Sequence, residues 1–398
     1  MAGCVALEAH HKCEMHGWRA ADSMLRGMVL HEIAEWVFFC CLAVIFYAYA
    51  GYWLCLRMAA RRRPVQTGAP EPTVSVVMAA RNEAHHLPAK LANLAELDYP
   101  SHLLQIVVVS DGSTDETAEV LARYPQVEAV LLPASGGKAL ALNAGVQRAT
   151  GEVLLMLDVR QRVDRDALRR LLPPFADPTV GAVSGELLLE NEDGTPSSEA
   201  LGIYWKIEKA VRRMESESGS VVGVTGAIYL MRRALFEPLP AGLVLDDVLV
   251  PMQVARRGYR VLFQPAAVAR DRLFVEPGKE FRRKVRTLTG NLQMLRLAPW
   301  LLSGSNPLLG RLISHKLLRL IVPFLLVVML VASAVSESRL MHVLLVLQVL
   351  FYGLALVGTF APGLRRSKLV AIPTTFSMLN VAAAMAFWKF LTGESVWR

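Results

Sequence analysis

Three short polar turns each follow an apolar run: Ala80–Glu83 after VSVVMA, Ser110–Asp115 after IVVV, and Asp158–Arg160 after LLML. A carboxylate in such a turn can accept from a nucleobase N–H or take a proton, and an arginine can pair with phosphate. Gly136-Gly137-Lys138 is a turn whose glycines let backbone approach a ligand closely. Asp246-Asp247 precedes an apolar segment and ARRGYRV. Acids also favour helix N-termini, so Glu83, Asp115 and Asp247 each carry a second reading as capping residues. His85 and His86 are adjacent, point in different directions and make a poor metal pair. All five cysteines precede residue 56, so chemistry in the middle of the chain uses no thiol and no cysteine-ligated zinc.

The elements that must position these groups follow from periodicity. Leucines at 87, 91, 94 and 97 have helical spacing, and IVVVSDGSTDETAEVLARY reads as strand, acidic turn and helix. Alternating strands and helices predict an α/β domain with a mainly parallel sheet, whose ligands sit at the carboxyl ends of the strands. Two standard nucleotide motifs are absent. No G-x-G-x-x-G follows the first strand, and Gly136-Gly137-Lys138 lacks the earlier glycine and the Ser/Thr of a P-loop.

Of the 398 residues, 53% are hydrophobic and only 20% charged, with mean hydropathy +0.35. The apolar excess gathers in four blocks, which excludes a disordered chain, a collagen-like repeat and an ordinary soluble enzyme. The blocks predict membrane spans at 33–56, 317–335, 340–360 and 371–391. A tail of 1–32 precedes them, a domain of 70–277 lies between them, and interfacial amphipathic helices fill 278–315. The net charge of +8 is not read as nucleic-acid binding. Arg57, Arg61, Arg62 and Arg63 follow the first block, and Arg365, Arg366 and Lys368 lie between the third and fourth, as the positive-inside rule requires. Both termini are then outside and the central domain cytoplasmic. Phe281, Val285, Leu288, Leu292 and Leu295 form one apolar helix face, with Arg282, Arg283, Lys284 and Arg286 filling much of the rest.

The motifs VSVVMAARNE, VVVSDGSTDET, GGKALALN, LMLDVR, VTGAIYLMRR and LDDVLVPMQVARRGYRV occur in this order over residues 74–261. Together with the flanking spans, they resemble the membrane-bound family 2 glycosyltransferases, the superfamily of cellulose and hyaluronan synthases. The resemblance implies a GT-A fold, a nucleotide-sugar donor and inversion at the anomeric carbon. It implies donor contacts at Ala80, Arg81, Glu83, Asp111, Lys138, Asp158, Arg283 and Arg286. It implies Mg²⁺ or Mn²⁺ at Asp158, an acceptor side at Gly226 and Trp205, and Asp247 as general base beside Asp246. The sequence departs from the family at three places: Ser110 replaces the first acid of its turn, Arg160 the second acid of D-x-D, and Arg283-x-x-Arg286-Thr287 the Q-x-x-R-W motif. The missing tryptophan removes the usual platform for the end of a growing polymer.

The expected enzyme moves a sugar from a UDP-sugar to an envelope polysaccharide or lipid-linked acceptor at a bacterial inner membrane. Its partners are membrane lipids and export or synthase subunits, with no nucleic acid. Single-sugar transfer to ceramide, diacylglycerol or polyprenyl phosphate is the alternative within the class. A non-catalytic scaffold in a polysaccharide export complex is the alternative outside it. Asp247 argues against the scaffold, which needs no base. No inverted repeat suggests a transporter.

Overall fold

A computed structural model describes residues 29–59, 61–190, 202–272 and 277–393. The expected tail lies mostly outside them, with Cys4 and Cys13. The chain divides into two compact units, Met1–Tyr49 with Leu318–Ala384, and Ala50–Leu317 with Met385–Arg398.

Four helices are long and apolar enough to cross a membrane: α1 (Val29–Met58) near the N-terminus and three in the C-terminal part of the chain. At 1.5 Å per residue the shortest of the four, 22 residues long, spans a hydrocarbon core of about 30 Å. Within the first unit, Ala34, Phe38, Cys41, Ile45 and Ala48 make one buried face of α1 at spacings of four and three. They pack with Val322, Met329, Ala332 and Met341, while Trp36, Phe39 and Phe46 stay exposed. Exposed apolar side chains on long helices are what a lipid-facing surface requires. The chain is an integral membrane protein by this composition.

The second unit is built on one eight-stranded sheet of order β3-β2-β1-β4-β7-β6-β8-β5. In chain order it runs β1 (Val74–Ala80), α2 (Leu87–Ala95), β2 (Leu104–Asp111), α3 (Thr117–Ala122), β3 (Val127–Leu132), α4 (Lys138–Arg148) and β4 (Val153–Leu157). Then come β5 (Arg162–Val163), α5 (Ala167–Leu171), β6 (Val180–Glu190), α6 (Gly202–Glu217), β7 (Ile228–Arg232), α7 (Asp246–Arg256), β8 (Arg260–Arg272) and α8 (Pro277–Leu297). The remaining long helices are α9 (Leu309–Val335), α10 (Arg339–Phe360) and α11 (Lys368–Thr392).

Strands β3, β2, β1 and β4 are parallel, β7 is antiparallel to β4 and β6, and β6 runs parallel to β8. The central strand β1 is covered on both faces, which is why it reads as a continuous apolar run. Val74, Val76, Met78 and Ala80 enter one core and Val77 the other. Because β2, β1 and β4 are parallel neighbours, their carboxyl ends bring all three polar turns to one edge of the sheet. The helix predicted from the leucine spacing runs from Leu87 to Ala95, and ahead of it Asn82 takes a left-handed φ of 55° in the turn. Asparagine tolerates that conformation better than most residues.

Candidate active site

The first two turns are sewn together. Asn82 N–H donates to Ser113 Oγ (3.1 Å), Ala84 N–H to Asp115 Oδ2 (3.1 Å), and Thr114 N–H to Asn82 Oδ1 (2.8 Å). Asp115 also accepts from the amide of Thr117 at 3.1 Å. These bonds hold its carboxyl below the usual range, although burial works against them. Glu83 accepts or shares a proton with His86 Nδ1 at 2.7 Å, and the His85 and His86 rings meet edge to face. Ala80 closes β1 opposite Ser110, and Arg81 is exposed.

Asp111 ends β2, buried, with its carboxylate turned onto the glycine turn. Gly136 N–H donates to it at 2.7 Å, Gly137 N–H at 2.9 Å and Ser135 Oγ at 2.9 Å. The residue read as a base contact therefore also shapes the turn that launches Lys138. Gly112, at φ 59°, lets this happen, because a Cβ there would strike the backbone of Ala134 and Ser135.

Lys138 opens α4 and is the hub of the site. Its ammonium lies 2.9 Å from Asp158 Oδ1 and 3.2 Å from Asp246 Oδ2. Burial opposes its charge, but Asp246 and Asp158 outweigh burial and hold it well above the usual lysine value. A Cβ on Gly226 would stand 3.4 Å from both Asp158 Oδ2 and Lys138 Nζ, so this glycine keeps the wall open. The Thr225-Gly226 turn is pinned by Thr225 N–H donating to Ser184 Oγ (3.1 Å), and Val224 N–H donates to the Asp247 carbonyl (2.8 Å).

Asp246 and Asp247 occupy the first turn of α7. Asp246 is 4% exposed and belongs to Lys138. The Asp247 carboxylate is half-buried and makes no ion pair or side-chain hydrogen bond among the described residues. Burial and then the neighbouring Asp246 raise its carboxyl to about 6, against the pull of Lys138 and Lys316. A free carboxylate with that pKa is suited to accept a proton near neutral pH.

The remaining residues fall elsewhere. Arg160 leans to Asp271 on β8 (3.5 Å). Arg283 pairs with Glu280 (2.6 Å), Arg286 is exposed on α8, and neither makes an ion pair with Asp158, Asp246 or Asp247 among the described residues. The side chain of Trp205, on α6, lies outside the described ones.

Sequence reasoning missed two features. Lys90 sits inside the leucine face of α2 and donates from a buried ammonium to the Gln161 carbonyl (2.7 Å), under the Asp158 turn. Burial pushes its amine down to about 7, with Asp158 opposing. A lysine at an apolar position of a helical stripe was the available signal. Within the second unit, His315 lies between Glu208 (2.8 Å) and Glu215 (3.0 Å), and Tyr52 donates to Glu215 (2.7 Å). Nothing in local spacing joins these residues.

Asp158 fits a divalent cation by donor chemistry, since Mg²⁺ needs one or two carboxylates beside substrate phosphates. No cluster of three or more acidic, histidine or cysteine ligands occurs among the described residues, so substrate oxygens would complete the shell.

A mixed, mainly parallel sheet with acids at its carboxyl edge and long apolar helices attached defines a GT-A-like domain of a membrane protein. Residues 75–239 match the family model described as glycosyl transferase family 2. The match assigns this segment of the chain to that family. Among curated proteins the chain is similar to the poly-beta-1,6-N-acetyl-D-glucosamine synthase of Staphylococcus aureus. The two are 26% identical over 234 residues, 56% of this chain and 55% of that protein. The Staphylococcus epidermidis synthase is 24% identical over 234 residues, 57% and 56% of the two chains. The chain spans about half the length of these relatives. Among solved structures it resembles a mannosyltransferase of Pyrobaculum calidifontis in complex with GDP-Man and Mn²⁺, with a TM-score of 0.68 and 24% identity. That match covers 92% of this chain and 100% of the other and supports the fold.

Proposed function

We propose that this enzyme transfers a sugar from a UDP-sugar to an envelope polysaccharide or lipid-linked acceptor, with inversion, at the cytoplasmic face of a bacterial inner membrane. The observation that carries the reading is the Asp247 carboxylate, unpaired among the described residues, next to Asp246 and the Lys138 ammonium that bridges Asp158 and Asp246. Lys138 draws the donor diphosphate to the strand ends, and Asp111 sets the turn that aims it. The acceptor hydroxyl gives its proton to Asp247 as its oxygen bonds to the anomeric carbon. The bond from that carbon to the diphosphate oxygen breaks, and UDP leaves with the electron pair. General base catalysis of this kind is typically worth about 10²–10⁴-fold. Asp158 would hold Mg²⁺ or Mn²⁺, which supplies further positive charge to the leaving diphosphate. The Mn²⁺ in the Pyrobaculum calidifontis complex supports that ion class.

The synthases among the relatives support a polymer product. One observation favours single transfer to a lipid: Thr287, where a tryptophan is expected for a polymer end, only donates to the Arg283 carbonyl (3.0 Å). The readings separate on product. The purified protein is incubated with radiolabelled UDP-sugars and membrane lipid extract, with possible synthase partners absent. High-mass label supports polymerisation, organic-phase label supports lipid glycosylation, and no transfer with any sugar argues for the scaffold.

A further inference from the structure

Tyr229, on β7, is 1% exposed, and its hydroxyl has no hydrogen-bond partner among the described residues. It stands directly opposite Met156 of β4. Asp158 lies two residues beyond Met156, so it continues the same face of the sheet one step nearer the site. Tyr229 and Met156 share a core with Val248, Leu249 and Met252 of α7, the helix whose first turn carries Asp246 and Asp247. The charged groups acting on the hydroxyl are Asp246, Lys138, Asp247 and Asp158. A buried donor thus feels the field of three carboxylates and donates to none of them among the described residues, while Lys138 occupies two. Buried hydroxyls are nearly always paired, so an orphan at a site points to a second state in which a partner comes free.

That state follows from the charges. A diphosphate at the strand ends competes for the Lys138 ammonium. If Lys138 turns to it, Asp246 is left buried without a cation, and water cannot reach it in number. We propose that Tyr229 is a positioning residue whose hydroxyl donates to Asp246 once the donor diphosphate draws Lys138 away. It thereby keeps an ordered Asp246 beside Asp247. The inference rests on the nucleotide-sugar reading of this site, and it concerns a residue inside the VTGAIYLMRR motif to which the resemblance gives no role.

The test is a thermodynamic cycle on the full-length protein in detergent, with UDP and GDP as probes. Tyr229→Phe removes a hydroxyl that is idle in the free protein, so its melting temperature without nucleotide equals or exceeds that of the wild type. Its nucleotide affinity falls roughly tenfold, the worth of one hydrogen bond to a charged group. In a Lys138→Met background Asp246 is already free and the hydroxyl already engaged. There Tyr229→Phe lowers the melting temperature without nucleotide, a non-additivity that a packing role does not produce. Unchanged affinity in Tyr229→Phe, with a wild type that binds, overturns the role of Tyr229 and leaves the transferase reading intact. A lowered melting temperature in the single variant, or additive effects, shows a packing residue and also overturns it. A wild type that binds neither nucleotide overturns the transferase reading itself.

Discussion

The ammonium of Lys138 lies 3.2 Å from the carboxylate of Asp246, joining the first turn of α4 to the first turn of α7. That contact sets the electrostatics of the base next door. Lys138 pulls the Asp247 carboxyl down against burial and Asp246. In Lys138→Met the Asp247 carboxyl rises further above about 6, so the acid limb of UDP release moves to higher pH. UDP affinity falls as well, since a cation facing the diphosphate is gone. A pH–rate profile and a UDP titration measure the two effects.

Asp247→Asn separates catalysis from stability. Folded Asp247 has a carboxyl raised from 3.8 to about 6, so the folded state binds the proton more tightly than the unfolded chain. Stability therefore falls as pH rises between those values, and the penalty is fully present above about 6, on the order of 2–3 kcal/mol. Asp247→Asn is expected to melt higher than the wild type at pH 8 and to lose the advantage towards pH 4. Thermal melts across that range check it.

Asp111→Ala acts through the turn. It leaves the amides of Gly136 and Gly137 and the Ser135 hydroxyl without their acceptor. The expected loss is about 1–3 kcal/mol of stability, together with weaker UDP binding because Lys138 is no longer aimed. Asp111→Asn keeps one acceptor oxygen and is expected to fall between. Melting and UDP titration of both variants give the order.

Much of this site was legible along the chain, and the parts that were not share a cause. VSVVMA, IVVV and LLML are apolar runs ended by polar turns, and parallel pairing of their strands brings those turns to one edge without further information. The acid pair at 246 and 247 reads as either a helix start or a base, and in the structure it opens a helix and lies beside the lysine at once. What local pattern does not carry is partnership at long range. Asp111 meets the Gly136 turn, Lys90 meets the Gln161 carbonyl, and Arg160 meets Asp271 through tertiary packing. The antiparallel β7 was equally hidden, because IYLM is apolar on both faces in either direction.

Gly226→Ala tests the open wall. The added methyl would lie 3.4 Å from Asp158 and Lys138, close enough to crowd a sugar diphosphate yet without a clash against either side chain. The melting temperature is expected to hold while the donor KM rises. A steady-state titration of donor beside a thermal melt decides it.

The most direct measurement compares UDP release by wild-type protein and Asp247→Asn at pH 8, with a panel of UDP-sugars, membrane lipid extract and Mg²⁺, Mn²⁺ or EDTA. UDP binding to both proteins is followed by calorimetry. The wild type should release UDP from one sugar. Asp247→Asn should bind UDP with similar affinity and release it about 10²–10⁴-fold more slowly, the range of a lost general base. Equal release by the two proteins would contradict the assignment of Asp247 and with it the proposed chemistry of the site.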